Sequence, residues 1–121
     1  MQTIPDTLCY LNGEYSSLRD AKVSVLDRGF IFGDGIYEVV PAYAAKLFRF
    51  DEHMARLNRS LSKLRIANPH TREEWLERCR KLIAALMRQG GAADQLVYIQ
   101  LTRGVALRDH VMPADVTPTV F

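Results

Sequence analysis

Between Asp51 and Gln89 the chain carries two helix-period stripes back to back, with no strand-like stretch between them. In the first, Met54, Leu57, Leu61 and Leu64 recur at steps of three and four, which places them on one face of a helix. Asp51 is a good N-cap for this helix, which should run from Glu52 to about Arg65 and stop before Asn68-Pro69. Thr71 and Glu74 have the spacing of a capping box and open a second helix, to about Gln89. Its buried face should be Trp75, Cys79, Leu82, Ile83 and Leu86, with Gly90-Gly91 as the stop. A parallel sheet needs a crossover, usually a helix, between each pair of strands. Two adjacent helices inside an otherwise strand-like chain do not supply that alternation.

The flanking segments read as antiparallel strands. Leu8 to Tyr15 contains Asn12-Gly13, a pair that tolerates the positive φ angles of a type I′ hairpin turn. Lys22 to Leu26 alternates and suits a short strand. Ile36 to Tyr43 reads as a strand, with Lys46 to Phe50 as its hairpin partner across Ala44-Ala45. Pro41 has no amide hydrogen, so it should sit where no ladder bond is required. Leu96 to Thr102 is rich in β-branched and aromatic residues, and Val116 to Phe121 starts another extended segment. The expected fold is α+β: an antiparallel sheet with two helices packed on one face.

At 121 residues the chain fits a single domain, 1–121, with enough length for one core. Sixteen basic residues against fourteen acidic ones give a net charge of +2, interspersed, which argues against nucleic acid or an anionic membrane as partner. No stretch approaches the ~20 apolar residues of a membrane span. The N-terminus lacks the basic start and apolar run of a signal peptide, so the expected location is the cytoplasm. Cys9 and Cys79 lie in no metal-like spacing and are expected as two buried thiols; no metal is expected.

Three places carry residues suited to chemistry. The segment Asp27 to Glu38, DRGFIFGDGIYE, has three glycines in seven residues, which permits tight turns and close backbone approach to a ligand. Its spacing matches neither a P-loop nor a dinucleotide fingerprint, and composition alone favours a structural loop joining two strands. Arg56 lies on the first helix. Its planar fork suits a phosphate, although a solvated helix face is the simpler reading, as is a surface or packed imidazole for His53 one turn earlier. The loop Thr102 to Pro113 holds Arg103, Arg108 and His110. Arg108 and His110 are two apart, so in extended backbone they point the same way and suit a carboxylate; a plain surface loop is the alternative. His70, just before a helix cap, reads as structural or exposed.

In order, YLNG at 10–13, VSVLDRGFIFGDGIYEVVPAY at 23–43, LFRFDEHMARLNRS at 47–60 and YIQLTRGVALRDHVMP at 98–113 resemble the class IV, or fold type IV, pyridoxal-phosphate-dependent aminotransferases. That family includes D-amino acid aminotransferases, branched-chain aminotransferases and aminodeoxychorismate lyases. The resemblance covers nearly the whole chain. It implies that Arg56 holds the phosphate of pyridoxal 5′-phosphate, that Tyr37 lies near cofactor and substrate, and that Arg108 and His110 receive the substrate α-carboxylate. The R-x-H pair tilts the likeness toward the D-amino acid type, in which the pair reaches in from a neighbouring subunit of a homodimer. The implied reaction moves an amino group from a D-amino acid such as D-alanine to a 2-oxo acid.

One departure is large. The family's Schiff-base lysine lies in its C-terminal domain, and none of Lys22, Lys46, Lys63 and Lys81 matches it. The expectation is therefore a single N-terminal domain without the catalytic-lysine domain. It would hold no catalytic residue of its own, would not bind the cofactor covalently and would be inactive alone. A branched-chain aminotransferase half, an aminodeoxychorismate lyase half and a non-catalytic binding module are the competing readings.

Overall fold

Leu8–Leu11 (β1) and Glu14–Ser17 (β2) form a hairpin whose turn is Asn12-Gly13, with φ of 50° and 94°. That is the turn the dipeptide predicts. The computed structural model describes residues 2–121. The main sheet has four strands, Gly35–Tyr43 (β3), Lys46–Leu47 (β4), Gln95–Thr102 (β5) and Thr119–Val120 (β6), in the order β4-β3-β5-β6, all antiparallel.

The longest ladder runs from Gly35 opposite Thr102 to Ala42 opposite Gln95. Strand alternation then sorts side chains between faces. Glu38, Val40 and Ala42 of β3 share one face with Val97, Ile99 and Leu101 of β5, and all six are buried. Tyr37, Tyr43, Leu96 and Tyr98 occupy the opposite face and are exposed. Pro41 accepts a hydrogen bond from Phe48 through its carbonyl. A strand residue turns its N–H and C=O to the same side, so the missing donor faces the point where β4 has ended, as expected.

The buried face is covered by two long helices, Phe50–Leu64 (α2) and Arg72–Arg88 (α3), which share one apolar core with β3 and β5. The Thr71–Glu74 capping box is present: Thr71 N donates to Glu74 Oε1 at 2.9 Å, and Glu74 N to Thr71 Oγ1 at 3.2 Å. Sequence reasoning missed how α2 begins. Its N-cap is Arg49, at a φ of 55° and without a side-chain cap, because Phe50 is drawn into the core and starts the helix early. Asp51 therefore lies in the first turn, where it pairs with Arg72 of α3. The helix stops at Arg65, in left-handed conformation, ahead of Asn68-Pro69. In α3, Leu82 and Leu86 are half-buried rather than buried, lining a shallow groove against β1.

Other differences follow from missing strand partners. Lys22 to Leu26 is irregular, ending in a turn, because no neighbouring strand runs beside it. The extended segments at Lys46–Phe50 and Val116–Phe121 shrink to two paired residues each. The loop expected at Asp27–Glu38 instead contains a short helix, Arg28–Phe32 (α1). Both cysteines are buried and unpaired. No helix among the described residues is long and apolar enough to cross a membrane.

Candidate active site

Two glycines make α1 possible. Asp27 caps the helix, its Oδ1 accepting from Gly29 N at 2.8 Å, while its Oδ2 accepts from Thr119 Oγ1 of β6 at 2.6 Å. Gly29 lies directly against the Thr102 side chain, where a Cβ would collide. Gly33 ends the helix at a φ of 66°, the left-handed conformation that costs glycine least. The chain thus turns through one short helix and enters β3 with Asp34 pointing inward.

Asp34 sits between two guanidiniums. Arg28 Nε donates to Asp34 Oδ2 at 3.0 Å, and Arg103 donates from Nε at 2.6 Å and from Nη2 at 3.2 Å. Burial alone would raise the Asp34 pKa, but the hydrogen bonds from Arg103 and Arg28 outweigh it and hold the carboxyl below its ordinary value. Arg103 also reaches the Leu64 carbonyl at the end of α2. It is thereby a structural strut and not, as its neighbours in the loop suggested, a candidate ligand group.

Arg108 and His110 lie beyond this strut and meet at one aromatic ring. The Arg108 guanidinium carbon lies 5.8 Å from the Phe32 ring centre, and the His110 ring 5.6 Å from it. The backbone here bends rather than running extended, so the pairing comes from the shared contact with Phe32. Both side chains remain exposed.

A second cluster forms on α2. His53 Nδ1 lies 2.8 Å from Glu38 Oε1, and Arg56 grips the same carboxylate through Nε at 2.8 Å and Nη2 at 2.9 Å. An ionised carboxylate can only accept, so His53 donates from Nδ1. The Glu38 side chain is 3% exposed and that of Arg56 59%. Burial pushes the Glu38 pKa up, yet the hydrogen bonds from Arg56 and His53 prevail and keep it below the ordinary carboxylate value. Glu38 in turn raises the pKa of Arg56, to which the nearby Tyr37 phenol adds. Arg56, Arg49, Arg59 and His53 line one concave surface together with Glu52, which pairs with Arg49. Tyr37 stacks on Tyr98 at 5.9 Å on the open face of the sheet, and Tyr98 bonds to Gln100. Among the described residues no hydrogen bond or ring contact joins the Arg56 cluster to the Phe32 cluster.

The model of the family described as amino-transferase class IV matches residues 35–121, which contain Tyr37, Arg56, Arg108 and His110. This chain belongs to the class IV aminotransferases. D-alanine aminotransferase of Staphylococcus haemolyticus is 43% identical over 116 residues, an alignment covering 95% of this chain and 40% of that protein. Among solved structures, 4-amino-4-deoxychorismate lyase from Pseudomonas aeruginosa is 28% identical with a TM-score of 0.71, over 92% of this chain and 37% of the other. A branched-chain amino acid aminotransferase from T.th., solved with pyridoxamine 5′-phosphate, is 25% identical with a TM-score of 0.75, over 98% and 40%. The chain thus spans about two-fifths of the length of these class IV relatives.

Sequence reasoning overlooked Glu38, Arg28, Asp34 and Phe32. For Glu38 a signal existed: its register with Val40 and Ala42 puts a carboxylate on the buried face, where it must find cations. His70 packs edge-on against Trp75 at 4.7 Å and near Tyr10, and burial lowers its pKa, in keeping with a structural role.

Proposed function

We propose that this chain forms the N-terminal part of a pyridoxal-phosphate-dependent transaminase that moves an amino group from a D-amino acid such as D-alanine to a 2-oxo acid. The observation that carries the reading is the convergence of Arg108 and His110 on Phe32, two exposed nitrogen donors on one platform. The 43% identity to a D-alanine aminotransferase supports it.

The residues present fit the cofactor's phosphate. Arg56 has Nε and Nη2 engaged by Glu38, which fixes the guanidinium plane and leaves its outer edge free to donate. Because Glu38 offsets much of the Arg56 charge and Glu52 that of Arg49, Arg59 on the same concave surface supplies the remaining attraction for an anion. When bound, pyridoxal phosphate supplies an electron sink that makes loss of the substrate α-proton feasible. This chain's part is positional. Arg56 holds the phosphate end, Tyr37 borders the reacting region from the open sheet face, and Arg108 with His110 bind the α-carboxylate. Together they determine which substrate bond meets the cofactor. No side chain here is assigned the proton transfer. We assign that role to a lysine in the remaining length of the relatives, which their alignment with this chain does not cover, and residues 1–121 by themselves are expected to be inactive and to hold the cofactor without a covalent bond. We further propose a homodimer, in which Arg108 and His110 serve the neighbouring subunit's substrate, and a cytoplasmic location. A branched-chain aminotransferase or aminodeoxychorismate lyase specificity, and a non-catalytic binding module, are the alternatives.

In the enzyme carrying this chain together with that remaining length, Arg108→Ala should raise KM for D-alanine by roughly ten- to a hundredfold, the worth of one charge-assisted hydrogen bond. Cofactor affinity should stay unchanged. An unaltered KM would remove the carboxylate assignment, and absence of any D-alanine turnover in the unsubstituted enzyme would favour the alternatives.

A further inference from the structure

Arg28 is a buried cation whose contacts extend well beyond its ion pair with Asp34. Its Nη1 donates to the carbonyl of Asp109, the residue between Arg108 and His110, at 3.0 Å. Its Nη2 approaches Met112 Sδ at 3.9 Å, and its guanidinium carbon lies 4.8 Å from the centre of the Phe32 ring. Phe32 is the same ring that Arg108 and His110 touch. One side chain thus bonds the loop's backbone at its midpoint and supports the platform beneath both of its exposed donors.

We propose that Arg28 is a positioning residue for the Arg108–His110 pair: it pins the loop's backbone so that both donors are presented together. This rests on the carboxylate reading above. A side chain that only neutralised Asp34 would need no second arm, since Arg103 already bonds both oxygens of that carboxylate. The backbone bond is what a planar, multi-donor fork adds and a single ammonium cannot reproduce. Because the loop is otherwise solvent-facing, loss of this bond frees the backbone on either side of Asp109 and disperses the two donors, so the entropy of gathering them falls on each binding event.

The test uses the complete enzyme and two variants, Arg28→Gln and Arg28→Lys, with backbone NMR order parameters across residues 107–112, steady-state kinetics on D-alanine and cofactor titration. Both variants should lower the order parameters in that segment to about 0.6 or below, raise KM by roughly tenfold, and lower kcat by less than about threefold. Cofactor affinity should not move. Arg28→Lys keeps a charge beside Asp34, so it decides the matter if Arg28→Gln fails to fold. Unchanged loop order parameters in a folded variant overturn the proposal, as does an unchanged KM where Arg108→Ala raises it. Lowered order parameters combined with an Arg108→Ala variant of normal KM would retain the pinning of the loop by Arg28 and overturn the carboxylate reading instead.

Discussion

Glu38 shows how a single buried carboxylate can organise a cationic surface. It is nearly inaccessible, yet both its partners lie on α2, one of them mostly in solvent. Replacing it with glutamine takes the negative charge from all three of its bonds and puts an NH2 donor where one accepting oxygen stood, which loosens the guanidinium. We expect Glu38→Gln to destabilise the fold by about 1–3 kcal/mol, measured by urea unfolding, and to weaken phosphate binding by loosening Arg56. Glu38 and Asp34 also set an acid limit. Both have folded pKa values below their ordinary ones of 4.5 and 3.8. Carboxyls of this kind stabilise the fold above those ordinary values and lose their contribution as pH falls through the lower folded ones. The urea midpoint should therefore be flat near neutrality and drop below about pH 4.5, and the drop should shrink in a Glu38→Gln, Asp34→Asn double variant. At this scale the sequence was partly legible. Arg56, Tyr37, Arg108 and His110 sit in recognisable motifs, whereas Arg28 and Asp109 are 81 residues apart and nothing local to either announces the bond.

Elements were legible where their determinants are neighbours in sequence. Thr71 and Glu74 lie three apart and satisfy each other, and Asn12-Gly13 builds its turn without help from elsewhere. The helix α1 was not legible, because glycines at 29 and 33 normally argue against helix. Gly29 is required by Thr102, which meets it only after β5 has paired. Lys22–Leu26 failed in the opposite sense, since alternation makes a strand only where another strand lies alongside. The turn between β3 and β4 is a further local conflict. Ala44 and Ala45 hold φ angles of 50° and 63°, and are kept there by Asp94 Oδ1 and the Ala93 carbonyl, which accept their amides. Replacing the pair with Asn-Gly should stabilise the fold by roughly 1 kcal/mol, seen as a higher thermal midpoint. Thr71→Ala should cost about 1 kcal/mol by loss of the capping box, with the same readout.

For the whole molecule, the sheet divides its surroundings into a sealed face and an open one. The sealed face contains Cys79, whose thiol burial pushes up to about 11. Such a thiol is almost wholly protonated at neutral pH, so a thiol reagent should label it at the rate of global unfolding, and mild urea should speed labelling in step with the unfolding curve. The antiparallel order was readable from the pattern of periodicities. The division into a two-stranded hairpin and a separate four-stranded sheet was not, because pairing between distant strands leaves no trace in either sequence. The join between those two sheets lies near residue 120: Asn12 N donates to the Val120 carbonyl, Val120 N returns a bond to Asn12 Oδ1, and Asp27 waits on Thr119. During synthesis, then, the first hairpin and the cap of the first helix emerge from the ribosome long before the residues that anchor them. Until about the hundred-and-twentieth amino acid is free, the hairpin can rest on α3 through Tyr10 but the Asn12 turn and the Asp27 cap lack these bonds, and a nascent chain arrested short of it should leave the segment around Asp27 open to protease while the later helices are already shielded.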